Sequence, residues 1–100
     1  MTLRLRSEAA QEIDEAFAYY EVQSPGLGAS FIDEVEHGYD QIEAYPNAWP
    51  RVRRNARWYI LRKFPFAIVY LQRPTDITVI AVAHLSRKRT YWLSRLREER

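Results

Sequence analysis

Between Trp58 and His84 the chain reads Trp-Tyr-Ile-Leu-Arg-Lys-Phe, then Phe-Ala-Ile-Val-Tyr-Leu, then Ile-Thr-Val-Ile-Ala-Val-Ala-His, with Pro65 ahead of the second run and Pro74 ahead of the third. β-Branched and aromatic residues suit a pleated, half-buried surface, and a proline cannot donate to a ladder, so Pro65 and Pro74 fall where the chain reverses. The stretch predicts a three-stranded antiparallel meander. Its middle run, Phe66 to Leu71, is apolar on both alternating faces, as a central strand covered above and below must be. The rest of the chain has to cover this sheet or lengthen its edges.

The first half supplies the cover. Leu3 and Leu5 alternate with Arg4 and Arg6, which predicts a short strand beside the later ones. Ser7 is positioned as an N-cap with Glu8 in the first turn, and Ala10, Ile13, Phe17 and Tyr20 follow at helical spacing as far as Gln23. After the turn Pro25-Gly26-Leu27-Gly28, the residues Phe31, Val35, Tyr39 and Ile42 repeat the pattern up to Tyr45-Pro46. These two helices predict an antiparallel hairpin whose apolar stripes lie on the sheet and whose acids face water. Phe17, Phe31, Val35, Ile42, Ile68, Val69 and Val79 are the expected shared core. Residues 47–57, with Pro50, Arg51, Arg53, Arg54 and Arg57, break both periodicities and read as a basic loop. Beyond His84, Tyr91, Trp92 and Leu96 fit a short helix or tail facing the domain. The expected fold is α+β in one domain, 1–100: an N-terminal strand, a helical hairpin packed on a twisted antiparallel sheet completed by the meander, and a C-terminal helical tail.

One hundred residues with 47% apolar composition suffice for a single two-layer core. Cysteine is absent, which excludes a disulfide framework and thiolate metal sites and suits a reducing cytosol. Arg4 and Arg6 lead into an acidic segment rather than a signal-peptide core, and the longest apolar run is too short to span a membrane, so a cytoplasmic protein without a membrane partner is expected. The formal charge of +2 hides a strong asymmetry. Residues 1–50 carry two bases against ten acids, a net −8, whereas residues 51–100 carry thirteen bases against three acids, a net +10. Such polarisation points to a partner of one sign on one face, the alternative being mutual neutralisation of helices and sheet.

The order of elements and several motifs resemble toxins of the RelE/ParE superfamily of bacterial type II toxin–antitoxin systems. The residues carrying the resemblance are Ala-x-x-Glu12-Ile13-Asp14-x-Ala16-x-x-Tyr up to Tyr20, Pro25-Gly-Leu-Gly with Phe31, and Tyr45-Pro46 with Pro50 and its basic run. They continue as Arg62-x-Phe64-Pro-Phe, Val69-Tyr70, and Ile80-x-Val82-Ala-His84-x-x-Arg87 up to Tyr91-Trp92. The spacing is closer to the ParE-like branch. That resemblance implies a helical hairpin on a twisted sheet and an antitoxin that wraps the toxin in a hetero-oligomer. It also implies inhibition of DNA gyrase without chemistry of the toxin's own, whereas RelE-like members cut mRNA in the ribosome. A degenerate module that keeps the fold and loses toxicity is a further alternative.

An RNA-cleaving member would have to activate a 2′-hydroxyl, protonate a leaving oxygen and stabilise the phosphorane. The groups available for this are Arg62, read as mid-strand, Lys63, His84 at the end of the last strand, and Arg87 and Tyr91 just after it. A carboxylate base is missing from the basic half. His84 could be the base, or could simply hydrogen-bond a neighbouring group. For a docking function the expected target- or antitoxin-binding residues are Arg51, Arg53, Arg54, Arg57, Arg87, Lys88, Arg89, Tyr91 and Trp92, although Tyr91 and Trp92 equally suit packing. His37 has no second ligand at metal spacing, so no metal and no cofactor are implied.

Overall fold

The computed structural model describes residues 2–99. Its elements are β1 (Thr2–Leu5), α1 (Ser7–Gln23), α2 (Leu27–Ala44), β2 (Arg51–Arg53), β3 (Ala56–Ile60), β4 (Phe66–Gln72), β5 (Asp76–His84) and α3 (Leu93–Glu98). The five strands form one sheet in the order β1-β5-β4-β3-β2, so the expected meander holds and β4 is its centre. β1 joins beside β5, but in parallel, with Leu3 opposite Ile77 and Leu5 opposite Val79, which makes the sheet mixed rather than wholly antiparallel.

The expected basic loop contains a strand. Arg51 pairs with Arg57 and Arg53 with Ala56, closing a hairpin through Arg54 and Asn55. Pro50 sits just ahead of this edge strand, where its missing N–H is not needed, and three residues, two of them arginine, are too few to display a period. Arg54 turns the corner in the left-handed region, at φ 50°.

β4 is covered on both sides. Phe66, Ile68 and Tyr70 face the helical hairpin with Phe31, Val35, Ile42, Ile77, Val79 and Val82. Val69 and Leu71 face the other way, under Trp92 and Leu96, with Ile80 and Ala81. A bulge makes this possible. Val69 pairs with Ala81 and Tyr70 with Val79, so Ile80 is an extra residue, and it turns with Ala81 towards the second face. Val69 therefore belongs to the second core, not the one it was expected to share, because successive strand residues point to opposite faces.

α1 also presents a different stripe from the expected one. Ala9 and Ala16 are buried and Phe17 is 37% exposed, so the inward face is Ala9, Ile13, Ala16 and Tyr20. Both stripes have helical spacing, and the one with alanines at its contacts lets the helix lie closer to the sheet. Tyr20 then packs edge-on to Phe64 at 4.8 Å between centroids and sits 5.5 Å from Phe31. Ser7 is the first helical residue and Arg6 the N-cap, without a side-chain cap bond. The start of α2 is capped across the turn: the Glu21 carboxylate accepts the Gly26 and Gly28 N–H groups, at 3.0 and 2.9 Å. Gly26 holds φ 87°, and Gly28 is required by proximity, since a Cβ there would lie 2.8 Å from the Phe17 carbonyl oxygen. Among the described residues no helix is long and apolar enough to cross a membrane.

Candidate functional site

The end of β5, the loop after it and α1 meet in a groove lined by Glu12, Glu15, Phe66, Val82, His84 and Arg87. Glu12 is its organising residue. Its Oε1 accepts the Val82 backbone N–H at 3.0 Å and an Arg95 guanidinium N–H at 3.0 Å; its Oε2 accepts the Tyr91 hydroxyl at 2.8 Å and a second Arg95 N–H at 3.2 Å. Val82 lies beyond the reach of β1, whose pairing stops at Val79, so the carboxylate satisfies a strand N–H that no neighbouring strand covers. The fold thus imports into the basic half the carboxylate that this half lacks. Two signals marked it in the sequence: its place in the motif of the first helix, and its spacing, three residues after Ala9 and four before Ala16 on the inward face.

Tyr91 is enclosed by cations. The Arg87 guanidinium lies 3.6 Å from the centre of its ring and that of Arg95 5.2 Å. Burial raises the Tyr91 phenol well above its ordinary value, and the hydrogen bond to Glu12 raises it further. It therefore stays protonated and donates to Glu12. His84 stacks edge-on against Phe66 at 5.0 Å, and its Nδ1 accepts the Ser86 backbone N–H at 3.0 Å. An acceptor Nδ1 places the proton of the neutral ring on Nε2 and ties the imidazole to its own turn.

The other residues singled out in the sequence are distributed differently. Arg62 lies past the end of β3 rather than mid-strand, and its backbone N–H and that of Lys63 bind Glu34 at 2.7 and 3.1 Å. Their side chains line a separate cleft with Glu34 and His37, so Arg62 does not share the His84 groove. Trp92 is 1% exposed in the second core and anchors the tail, which removes it from any binding surface. Arg57 is half-buried and donates to the Trp49 carbonyl at 2.7 Å. Arg51, Arg53, Arg54, Arg87, Lys88 and Arg89 are exposed. Arg89 stacks over Trp58 of β3 at 4.6 Å, which brings the loop cations to within one strand of the β2 edge.

The tail is clamped by a second ion cluster. Glu99 receives Arg4 at 2.6 Å, Arg6 at 2.7 Å and Arg73, while Arg6 also pairs with Glu8 and Glu98. Burial pushes the Glu99 carboxyl up, but the bonds from Arg4 and Arg6 outweigh it and hold it below its ordinary value. The hydrogen bond from Arg6 is the main reason that Glu8 is lowered to about 2. Of the ten acids in residues 1–50, only Glu8 and Glu12 enter an ion pair among the described residues. The charge asymmetry consequently survives folding, which mutual neutralisation would have erased.

The family model for the ParE toxin of the type II toxin-antitoxin system parDE matches residues 3–89. The chain belongs to that family. Its fold is that of a solved chain described as the chromosomal ParDE TA system from P. aeruginosa, with a TM-score of 0.69 over 85% of this ParE-family chain and 96% of that chain, at 16% identity. No curated protein sequence matches significantly. The tail that completes the second core of this ParE-family chain, with Trp92 and Leu96, lies beyond the segment that the family model matches.

Proposed function

We propose that this chain is the toxin of a type II toxin–antitoxin pair and acts by docking on its target, DNA gyrase, rather than by cleaving RNA. A cognate antitoxin would neutralise it by covering the same cationic surface. Family membership supports the toxin reading. One observation favours docking over catalysis: the groups able to move protons are held in structural bonds, whereas the exposed cations are not. Glu12 accepts four hydrogen bonds, the Tyr91 hydroxyl donates to Glu12, and His84 Nδ1 is tied to Ser86. Arg51, Arg53, Arg54, Lys88 and Arg89 form no ion pair among the described residues and remain available to an acidic protein surface.

The test is to assay the purified chain for inhibition of gyrase supercoiling beside translation-linked mRNA cleavage. Inhibited supercoiling with intact mRNA is expected, together with little effect of His84→Gln. Cleavage that disappears in His84→Gln, in a variant with unchanged melting temperature, would establish the RelE-like nuclease in its place. Removing a general acid or base costs about a hundredfold to ten-thousandfold in rate, so the two outcomes are well separated.

A further inference from the structure

At the end of the sheet opposite His84, the β2–β3 turn, the β4–β5 turn and α3 enclose a cleft of about 530 Å³. This is ample for two or three side chains of a ligand. Its floor is apolar, made by Leu71 at the end of β4 and Leu96 of α3, and its rim carries Arg54 and Arg97. Neither guanidinium has a hydrogen bond or an ion pair among the described residues, while the third arginine of the wall, Arg73, is already bound by Glu99. Arg54 also occupies the left-handed backbone region, at φ 50°, where glycine or asparagine is the ordinary occupant. Asn55 stands beside it, yet the arginine holds the strained position, which aims a cation at the mouth of the cleft at a backbone cost.

We propose that this cleft seats an acidic and aliphatic stretch of a partner protein, with a carboxylate on Arg54 and Arg97 and a neighbouring aliphatic side chain on Leu71 and Leu96. The site is separate from the Arg87 to Arg89 cations and does not depend on which target the protein inhibits. A peptide fits better than a nucleic acid for two reasons. No aromatic ring lines the cleft to stack a base, and the guanidiniums of Arg54 and Arg97 flank a leucine floor that suits an aliphatic side chain rather than a run of phosphates. Bidentate pairing of a guanidinium with a carboxylate supplies the direction, and the leucine floor selects for an aliphatic neighbour.

The probe is a fluorescein-labelled peptide of alternating glutamate and leucine, titrated with the full chain at low salt and followed by anisotropy. A glutamate–serine peptide, a lysine–leucine peptide and a short single-stranded oligonucleotide serve as comparators. The glutamate–leucine peptide should bind best, and Arg54→Glu or Arg97→Glu should each weaken it by about tenfold, the scale of one lost charge-assisted hydrogen bond. Both positions are exposed, so circular dichroism should show unchanged folding. Amide shifts on binding should centre on residues 54, 71 and 96. The proposal fails if glutamate–serine binds as well as glutamate–leucine, if the oligonucleotide binds more tightly, or if the two charge reversals leave affinity unchanged.

Discussion

Replacing Glu12 by alanine should be the most damaging single change on the surface of α1. Glu12 is only 11% exposed and its partner Arg95 only 16%, so the substitution strands a guanidinium, a phenol and the Val82 N–H together. Breaking a pair this buried costs about 3 to 5 kcal/mol, and an orphaned amide about 1 to 3 kcal/mol more. The two do not add fully, because water enters the vacated space and rebinds part of what was lost; about 3 to 5 kcal/mol is the expected total. Alanine is the better helix former, so helix propensity cannot be the source of any loss. A domain of this size has a total stability of about 5 to 15 kcal/mol, and the variant should come close to unfolding on mild heating.

Urea denaturation measures this directly, as a lower midpoint at an unchanged m-value. Glu12→Gln should fall between, since its carbonyl can still accept Val82 and one Arg95 N–H while its amide faces the other. Two local readouts separate this from a general loss of packing. Hydrogen exchange at Val82 should accelerate beyond that of its strand neighbours. The Tyr91 phenol should titrate at lower pH than in the wild type, because the hydrogen bond to Glu12 is a cause of its raised value. A stability loss below about 1 kcal/mol in Glu12→Ala would refute the reasoning, as would an unchanged Tyr91 titration.

Three further outcomes are expected. Ile68→Ala, at the centre of the first core and 0% exposed, should cost about 2 to 5 kcal/mol in urea denaturation, and a smaller loss would remove β4 from the centre. Gly28→Ala should destabilise by about 1 to 3 kcal/mol, because the new Cβ meets the rigid Phe17 carbonyl. Gly38→Ala, whose Cβ meets the movable Ile68 Cδ1 at 2.7 Å, should be milder, and thermal melts that reverse this order would contradict it. Because the folded pKa values of Glu8 and Glu99 lie below the ordinary 4.5, their contribution is complete above that pH and is lost as pH falls below it, for Glu8 towards about 2. The melting temperature should decline through that window, and Arg6→Gln should flatten the decline.

The parts of the fold that could be read from sequence are those where one period was forced. Phe66 to Leu71 has no polar face, so a central, doubly covered strand was the single reading available, and the second cover then had to come from Trp92 and Leu96. α1 allowed two stripes one residue apart. Phe17 drew the reading towards hydrophobicity, whereas close packing chose Ala9 and Ala16. β2 was illegible because its pairing depends on β3 and not on its own three residues. The role of Glu12 was missed for a related reason: an acid on an amphipathic helix reads as solvated, and only the tertiary approach of β5, Tyr91 and α3 gives it four donated hydrogen bonds. Placing His84, Arg87 and Tyr91 in one neighbourhood needed only their closeness in sequence. Excluding Arg62 needed the observation that β3 stops at Ile60 and that Glu34 binds the following turn.

The two ion clusters explain how so polarised a chain folds without losing its polarity. Arg4, Arg6 and Arg73 are gathered onto Glu98, Glu99 and Asp76, and Arg95 and Arg87 onto Glu12, so these pairs fasten the N-terminal strand, α1 and the tail together. Of the cations left outside these pairs, Arg51, Arg53, Arg54, Lys88 and Arg89 are exposed around β2 and the loop after β5, whereas Arg62 and Lys63 line a cleft with Glu34 of α2. Separating the charges this way costs self-repulsion on each face, which a domain with a small core does not tolerate without a compensating gain. On the docking reading proposed above, the gain is an electrostatic field that draws an acidic partner to these cations. On that reading the same field would speed the encounter with target and antitoxin alike, and their relative affinities would decide which one holds the surface.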